Sequence, residues 1–281
     1  MSLNFRNIFL AICLVTSASL LAGEPLIVAH RGASGQAPEN TLPAFQLAWE
    51  QGADVIEGDF QLTKDGHIVC VHDRDTKRVS GEKMVVKDST LAELQRLDVG
   101  SFKGAEFKGT RIPTIAEVLA SIPEGKKIFI EVKSGREIVP QLLKDIKKSG
   151  LNTEQIVVIC FDSNVLLDLR DLAPKAGLEL KTSWLVNFKK NKKGEIQPSK
   201  LVAFEVLELI KANGVSTSKR FVSEKFIKHA NSLGYEHHIW TIDDVPTAKQ
   251  YRQWGSQSIS TNFPAKMREA MMPIKKEKLA P

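Results

Sequence analysis

Cysteine, aromatic residues and long apolar runs are all scarce in this sequence. It has three cysteines among 281 residues, and aromatic side chains make up 7% of the chain. The main apolar stretch, Ile8 to Leu21, is too short to predict a membrane span. Sparse aromatics and the lack of a nucleic-acid-binding module argue against nucleic acid as a partner, despite a net charge of +6. No internal repeat or low-complexity linker divides the chain.

The first 22 residues have the pattern of a secretory signal peptide. Arg6 is the one charged residue among these 22. An apolar stretch follows Arg6, and small residues stand near the end of that stretch. An uncleaved N-terminal anchor is the alternative, whereas the lack of a cysteine after the stretch argues against a lipoprotein anchor. We therefore expect a signal peptide over 1–22, a single domain over 23–281, and an exported protein that is periplasmic or secreted.

Two cysteines remain outside this segment, Cys70 and Cys160. Each lies within an apolar run, IVCVH and IVVICF, that is typical of a buried strand. An even pair in an exported protein invites a disulfide. Two separate strands do not assure disulfide geometry, however, and a thiol packs well as a small buried side chain. We favour two free, buried thiols.

Strand-like apolar runs alternate with helical patterns along the rest of the chain. The runs lie near Ile27, Val55, Ile128, Ile156, Leu180, Val215, Ile239 and Ile259. Helical patterns include residues 41–51, 115–121, 137–148 and 223–233. This alternation predicts parallel βα units, and the length suits an α/β fold of the (β/α)8 TIM barrel type. An additional strand over Ile68–Val71 and an excursion over residues 73–113 would interrupt this alternation after the third strand.

Three acidic residues stand at the ends of two predicted strands. Glu57 and Asp59 share one face of their strand because side chains alternate, and Glu131 stands near the end of the run IFIEV. Carboxylates close together repel unless a proton or a cation separates them. Oxygen ligands alone favour Mg²⁺ or Ca²⁺. A solvated sheet edge is the alternative interpretation of these residues.

Two histidines stand near the same strand ends. His30 and Arg31 follow the first strand, and the turn sequence Thr63–Gly66 predicts a hairpin that returns His72 to the level of Asp59. A register slip of one residue would turn His72 to the other face. Each motif alone also fits an ordinary strand exit or a capped turn, but their joint occurrence predicts a functional site.

These motifs resemble the hallmark of the glycerophosphodiester phosphodiesterase family. Its order is HRG, PENT, an acid-x-acid pair, TKDG and HD, and the matching segments are His30–Gly32, Pro38–Thr41, Glu57–Asp59, Thr63–Gly66 and His72–Asp73. Further matches are Arg111–Thr114, Glu131–Lys133, Trp240–Asp243 and Thr261–Pro264. The resemblance covers nearly the whole chain after the first two dozen residues.

The resemblance implies a TIM barrel of the PLC-like phosphodiesterase type and a catalytic domain over 23–281. It also implies metal-dependent hydrolysis of glycerophosphodiesters to an alcohol and sn-glycerol 3-phosphate, with a small-molecule substrate. By position, the implied metal ligands are Glu57, Asp59 and Glu131, the acid/base pair is His30 and His72, and the substrate-binding residues are Arg31, Lys133 and Trp240. The metal is Mg²⁺ or Ca²⁺. Attack by the glycerol 2-hydroxyl, through a cyclic phosphate, and direct attack by water both remain open.

Two other functions remain as alternatives. A phosphodiesterase acting on lysophospholipids would have an apolar rim that makes transient contact with a membrane surface, and Phe102 and Phe107 are the candidates for it. A non-catalytic diester-binding protein would lack one of the acids or histidines, and none is missing. The basic run Lys189–Lys193 is either a solvated loop or a rim that steers an anionic substrate or an acidic lipid surface.

Five further positions receive structural interpretations. We expect Glu39 and Asn40 to build a loop and cap the helix that begins near Leu42. Gly58, between two acids, indicates close packing behind them. Strand alternation sends His237 and His238 to opposite faces of their strand.

Overall fold

The computed structural model of the protein describes residues 24–271, so the predicted signal peptide over 1–22 lies outside the described residues. The strands are β1 (Leu26–Ala29), β2 (Val55–Leu62), β3 (Ile68–Cys70), β4 (Lys127–Val132), β5 (Ile156–Cys160), β6 (Lys181–Val186), β7 (Lys189–Lys190), β8 (Ile196–Gln197), β9 (Gly214–Ser218), β10 (Glu236–Trp240) and β11 (Ser258–Thr261). The α-helices are α1 (Leu42–Glu50), α2 (Lys77–Ser80), α3 (Leu91–Leu94), α4 (Ile115–Ala120), α5 (Val139–Ser149), α6 (Ser163–Leu172), α7 (Lys200–Ile210), α8 (Glu224–Ser232), α9 (Val245–Trp254) and α10 (Pro264–Met271).

Eight parallel strands close into a barrel. Their order is β1-β2-β4-β5-β6-β9-β10-β11, and β1 pairs with both β2 and β11. Helices connect most neighbouring strands, which confirms the predicted (β/α)8 TIM barrel. Each predicted strand run corresponds to one barrel strand, although the run near Leu180 begins one residue later. Because the strands are parallel, their carboxyl ends meet at one rim, which we call the mouth.

The hairpin β2–β3 has the predicted register. Phe60 pairs with Cys70, and the Val71 amide donates to the Asp59 carbonyl at 2.8 Å. His72 therefore returns to the level of Gly58. A Cβ added to Gly58 would lie 3.1 Å from the Cys70 sulfur, so the predicted close packing behind the acids is confirmed.

The predicted excursion over residues 73–113 leaves the barrel after β3 and includes α2 and α3. The excursion has a small hydrophobic cluster of its own, separate from the barrel cores, which we call the excursion core. Its buried members are Val69, Val71, Val79, Val86, Leu94, Leu97, Val99 and Ile112. The excursion is therefore a packed unit that leaves the barrel after β3 and returns to it at α4.

The barrel interior and the outer layer pack separately. An interior cluster of Val28, Val55, Phe129, Val157, Ile159 and Leu185 fills the barrel below the mouth. His238 points into this interior, with its ring 5.1 Å from that of Phe129, whereas His237 packs outward against Phe226. The predicted opposite facing of the two histidines is thus confirmed.

Cys70 and Cys160 are both buried and free, as predicted. The Cys70 thiol donates to Asn40 Oδ1 at 3.2 Å, and the Cys160 thiol donates to the Val132 carbonyl at 3.3 Å. Burial raises the pKa of both thiols, that of Cys160 to about 12. The two side chains are therefore neutral packing groups. Among residues 24–271, none of the helices has the length and apolar character that crossing a membrane requires.

Candidate active site

A cavity of about 160 Å³ opens at the mouth, and we call it the inner cavity. Seven of the eight predicted site residues line it, namely His30, Arg31, Glu57, His72, Glu131, Lys133 and Trp240. The eighth, Asp59, is 1% exposed and forms ion pairs with Arg31 and Lys133. Phe129, Ile159 and Leu185 contribute an apolar wall from the barrel interior. The structure thus brings all eight residues together.

The three acids form a compact, buried cluster. Glu57, Asp59 and Glu131 each offer a carboxylate oxygen, and these atoms lie within 4.8 Å of one another. Burial raises the pKa of Glu57 well above its usual range, and the charges of Asp59 and Glu131 raise it further. Burial and the charge of Asp59 likewise raise the pKa of Glu131 to about 7. Such a cluster is costly to ionise without a cation.

The donor set fits a divalent cation. Glu57 Oε1 is buried and accepts no hydrogen bond, while Glu57 Oε2 accepts one from the Arg31 amide at 2.8 Å. A buried carboxylate oxygen without a partner is a group that a bound cation would satisfy. Because all the available ligands are carboxylate oxygens, the site suits a hard ion. The buried acidic triad can therefore bind a metal.

Arg31 and Lys133 place two cations beside these acids. Arg31 Nε lies 3.2 Å from Asp59 Oδ2, and Lys133 Nζ donates to Glu131 Oε1 at 2.7 Å. Burial alone would lower the pKa of each base, but the charge of Asp59 and its neighbours outweighs it and raises both pKa values. Both side chains are consequently charged and face the inner cavity.

His30 is oriented by an amide side chain. Its Nδ1 lies 2.8 Å from Asn262 Oδ1, and the Asn262 amide nitrogen donates to Asp243 Oδ2 at 2.7 Å. Since an amide oxygen only accepts, Nδ1 donates and Nε2 carries the lone pair. Burial and the charge of Arg31 lower the pKa of His30, which keeps the ring neutral. Such a ring is suited to accept a proton.

His72 is oriented by a carboxylate. Its Nδ1 lies 2.7 Å from Asp73 Oδ1, and Asp73 Oδ2 accepts a hydrogen bond from Arg78 Nε at 2.6 Å. Burial would raise the pKa of Asp73, but its bonds to Arg78 and His72 lower it. The carboxylate therefore stays charged and fixes Nδ1 as the bonded nitrogen, which leaves Nε2 for the cavity.

The interpretation of Asn40 as a helix cap was wrong. Thr41 is the N-cap of α1 and accepts from the Ala44 amide at 3.4 Å, while Asn40 turns toward the acids. The Asn40 amide nitrogen donates to Asp59 Oδ2 at 2.8 Å, and Asn40 Oδ1 accepts from the Asp59 amide at 3.0 Å. Both residues are good caps, so the sequence could not separate them. Asn40 positions Asp59 instead.

Arg78 is a site residue that the sequence analysis missed. Its guanidinium donates to both oxygens of Glu39, at 2.7 and 2.8 Å, in addition to Asp73. Glu39 also accepts from Arg31 at 2.9 Å. Burial would raise the pKa of Glu39, but its bonds to Arg78 and Arg31 lower it to about 2. Arg78 therefore connects the loop of His72 with the loop of Arg31 across 39 residues of sequence, a contact that no local pattern signals.

Comparisons with known proteins give the family of this chain. The profile of the glycerophosphoryl diester phosphodiesterase family matches residues 30–266. The chain belongs to this family. A glycerophosphodiester phosphodiesterase of Caldanaerobacter subterraneus is 44% identical over 162 residues, which are 54% of this chain and 65% of the relative. One of Bacillus subtilis is 30% identical over 259 residues, 85% of this chain and 84% of the relative.

A solved structure is similar over most of the fold. It is a phosphodiesterase of Oleispira antarctica in complex with the product sn-glycerol 3-phosphate. Its sequence is 28% identical to that of this chain, and the TM-score of the two folds is 0.80. The similarity covers 89% of this chain and 97% of that one. Family and relatives confirm the predicted enzyme class and do not favour either alternative, the lysophospholipid enzyme or the binding protein.

Proposed function

We propose that the protein is a metal-dependent glycerophosphodiester phosphodiesterase that releases sn-glycerol 3-phosphate and an alcohol by histidine acid/base catalysis. The observation that carries this proposal is one cavity lined by two oriented histidines, two cations and two acids of the triad, with the third acid, Asp59, buried beside them. The bound product of the Oleispira antarctica enzyme supports a small glycerol phosphate substrate for this chain as well.

Glu57, Asp59 and Glu131 would hold Mg²⁺ or Ca²⁺, and the unpartnered Glu57 Oε1 supports this assignment. A divalent cation here supplies Lewis-acid neutralisation of the phosphoryl oxygens. Asn40 holds Asp59 in place through two hydrogen bonds, so this ligand is positioned before binding. Arg31 and Lys133 add two fixed positive charges to stabilise the negative charge that develops at phosphorus.

His30 and His72 divide the proton transfers. His30, neutral and with its lone pair on Nε2, accepts the proton of the attacking hydroxyl as the new P–O bond forms. His72 donates a proton to the departing alcohol oxygen as the old P–O bond breaks. The same assignment serves attack by the glycerol 2-hydroxyl and by water, because each loses one proton.

The deciding experiment measures sn-glycerol 3-phosphate release from glycerophosphocholine after chelation, and then with Mg²⁺ or Ca²⁺ restored. We expect no release without metal and recovery with one of the two ions. Glu57→Gln should weaken metal binding in a calorimetric titration, whereas Glu205→Gln on the exposed surface of α7 should not. Undiminished release after chelation would contradict the metal dependence, and no release under any condition would contradict the activity.

We also propose that the protein is exported and that residues 1–22 are removed. The support is the pattern of Arg6, the apolar stretch to Leu21 and the small residues after it. The mass of the protein recovered from the periplasm or medium tests this directly. A mass that includes the first 22 residues would favour the uncleaved anchor.

A further inference from the structure

A second cavity, of about 260 Å³, adjoins the inner cavity, and we call it the outer cavity. Its lining residues are Asn187, Ser218, Lys219, Arg220, Trp240 and Thr241. Trp240 lines both cavities, so the two meet at its indole ring. The other residues come from the end of β9 and from the loops that follow β6, β9 and β10. The outer cavity therefore belongs to the mouth, beside the proposed reaction centre.

A phosphodiester has two alcohol arms, and the inner cavity has room for one. Its apolar wall of Phe129, Ile159 and Leu185 belongs to the interior cluster that fills the barrel, so nothing extends further in that direction. The second arm must leave the phosphorus toward the rim. At the rim, Trp240 lies between the two cavities. Its ring makes an edge contact with that of Phe161, and the two ring centres are 5.8 Å apart. On the far side of Trp240 lies the outer cavity.

The outer cavity is positively charged. Lys219 and Arg220 are exposed, and within residues 24–271 neither forms a salt bridge. Lys190 adds a third charge at this rim, with its ammonium 5.6 Å from the centre of the Phe221 ring. The lining includes no carboxylate. Asp244 is close enough for the charge of Lys219 to lower its pKa, although its bonds to Thr247 at the start of α9 lower it more.

The backbone that carries these two cations is fixed. The Tyr251 hydroxyl donates to the Lys219 carbonyl at 3.1 Å, and Tyr251 itself is buried. One residue earlier, the Ser218 hydroxyl donates to Asn187 Oδ1 at 2.9 Å, which joins the loops after β6 and β9. The cavity is thus held open by bonds between its walls, and only the side chains of Lys219 and Arg220 project from it.

We infer that the outer cavity binds the leaving alcohol, and that Lys219 and Arg220 select diesters whose alcohol carries an anionic group, a carboxylate or a phosphate. This inference rests on the proposed function, since it concerns the second arm of the same substrate. An anionic group in the outer cavity gains attraction from both cations, and a neutral or cationic head group does not.

The test compares substrates that differ by one anionic group. Glycerophosphoserine is glycerophosphoethanolamine with one added carboxylate, and glycerophosphoglycerol 3-phosphate adds a phosphate to glycerophosphoglycerol. We expect kcat/KM to be about five-fold higher for the anionic member of each pair, the size of one or two partly exposed charge contacts. The preference should shrink as salt rises, since these charges are open to screening.

For each substrate pair, the ratio compares kcat/KM of the anionic member with that of the other member. The double variant Lys219→Gln, Arg220→Gln should bring both ratios near one, while the reaction of glycerophosphoethanolamine continues. Lys219→Arg with Arg220→Lys should retain the preference, which separates charge from folding. Lys144→Gln with Lys148→Gln, an equal loss of charge on exposed positions of α5, should leave the ratios unchanged. Ratios near one in the unaltered enzyme, or ratios that survive the glutamine variant, would overturn the inference. Failure to hydrolyse any of the four substrates would instead contradict the proposed function.

Discussion

His30 and His72 differ in the partner that holds Nδ1. An amide oxygen holds the first ring and a carboxylate holds the second. The amide oxygen fixes the tautomer of His30, whereas Asp73 brings a carboxylate to the ring of His72. Two residues of one type are thereby made chemically different, which is what a reaction with one proton accepted and one donated requires.

Replacing either histidine should remove turnover and retain the fold. We expect His30→Ala and His72→Ala each to lower kcat by at least about 100-fold, because each removes one proton transfer. The measurement is steady-state release of sn-glycerol 3-phosphate, with circular dichroism as the check on folding. His67→Ala, at an exposed position in the β2–β3 hairpin, is the control and should keep full activity. Activity that persists in either site variant removes that residue from the acid/base pair.

At the scale of elements, the turn from β1 to α1 depends on Gly32. Its φ is +79°, and an added Cβ would lie 2.6 Å from the Ala44 backbone carbon. The backbone of α1 cannot give way as a flexible side chain would, so the glycine is required for both conformation and space. Arg31, the residue before it, has a φ of +57°, so the same turn directs a side chain that lines the inner cavity.

Gly32→Ala should therefore destabilise the protein by more than a left-handed conformation alone explains. We expect a loss on the order of 3 kcal/mol in the free energy of unfolding, from strain and overpacking together. Gly66→Ala is the matched control, since its φ is +83° and no atom lies within 4 Å of the added Cβ. We expect the free energy of unfolding of Gly66→Ala to fall by about 1 kcal/mol. Urea denaturation compares the two, and equal losses would contradict the packing explanation.

Arg78 joins the excursion to the barrel at the level of the site. It is a positioning residue, because it holds Asp73, which in turn orients His72. We expect Arg78→Met to lower kcat about ten-fold or more and to change KM less, since misplacement of a catalytic group affects chiefly the chemical step. Arg96→Met, at an exposed position of the same excursion, should have little effect on either constant. An unchanged kcat in Arg78→Met would assign Arg78 a purely structural role.

At the scale of the whole molecule, the buried histidine His237 sets a dependence of stability on pH. It is 0% exposed, and its ring nitrogens lie within 3.0 Å of the Ser256 and Thr217 hydroxyls. Burial lowers its pKa to about 3. Because the unfolded chain binds the proton from about pH 6.5 downward, the stability that His237 contributes is full above that pH and is lost as the pH falls toward 3.

The stability difference between the unaltered protein and His237→Gln should therefore shrink by about 2 kcal/mol from pH 7 to pH 5. The difference is the proper quantity, because the raised pKa values of Glu57 and Glu131 act with the opposite sign on the total. Urea denaturation at the two pH values measures it, with His67→Gln as an exposed control. A difference that stays constant would contradict the neutral state of His237.

The sequence predicted the barrel from local periodicity, and the eight candidate residues that the motifs and the family resemblance named come together in the fold. Strand alternation placed Glu57 and Asp59 on one face, and the turn Thr63–Gly66 fixed the register of His72. Two kinds of feature had no local signal. Arg78 binds Glu39 across 39 residues of sequence, and the outer cavity is assembled from the ends of three different strands and the loops after them. Such contacts depend on how elements pack together, which periodicity does not encode.

The excursion core packs apart from the larger core of the barrel. His30 follows the barrel strand β1. His72 follows β3, in a segment that the eight residues of the excursion core and Arg78 hold in place. Units of this kind open separately, with amide hydrogens that exchange before those of the larger core. Opening of the excursion alone would withdraw one histidine while the acidic triad and the barrel stay folded. Loss of activity on warming should therefore precede loss of helical signal, and the enzyme should regain activity on cooling without refolding its barrel.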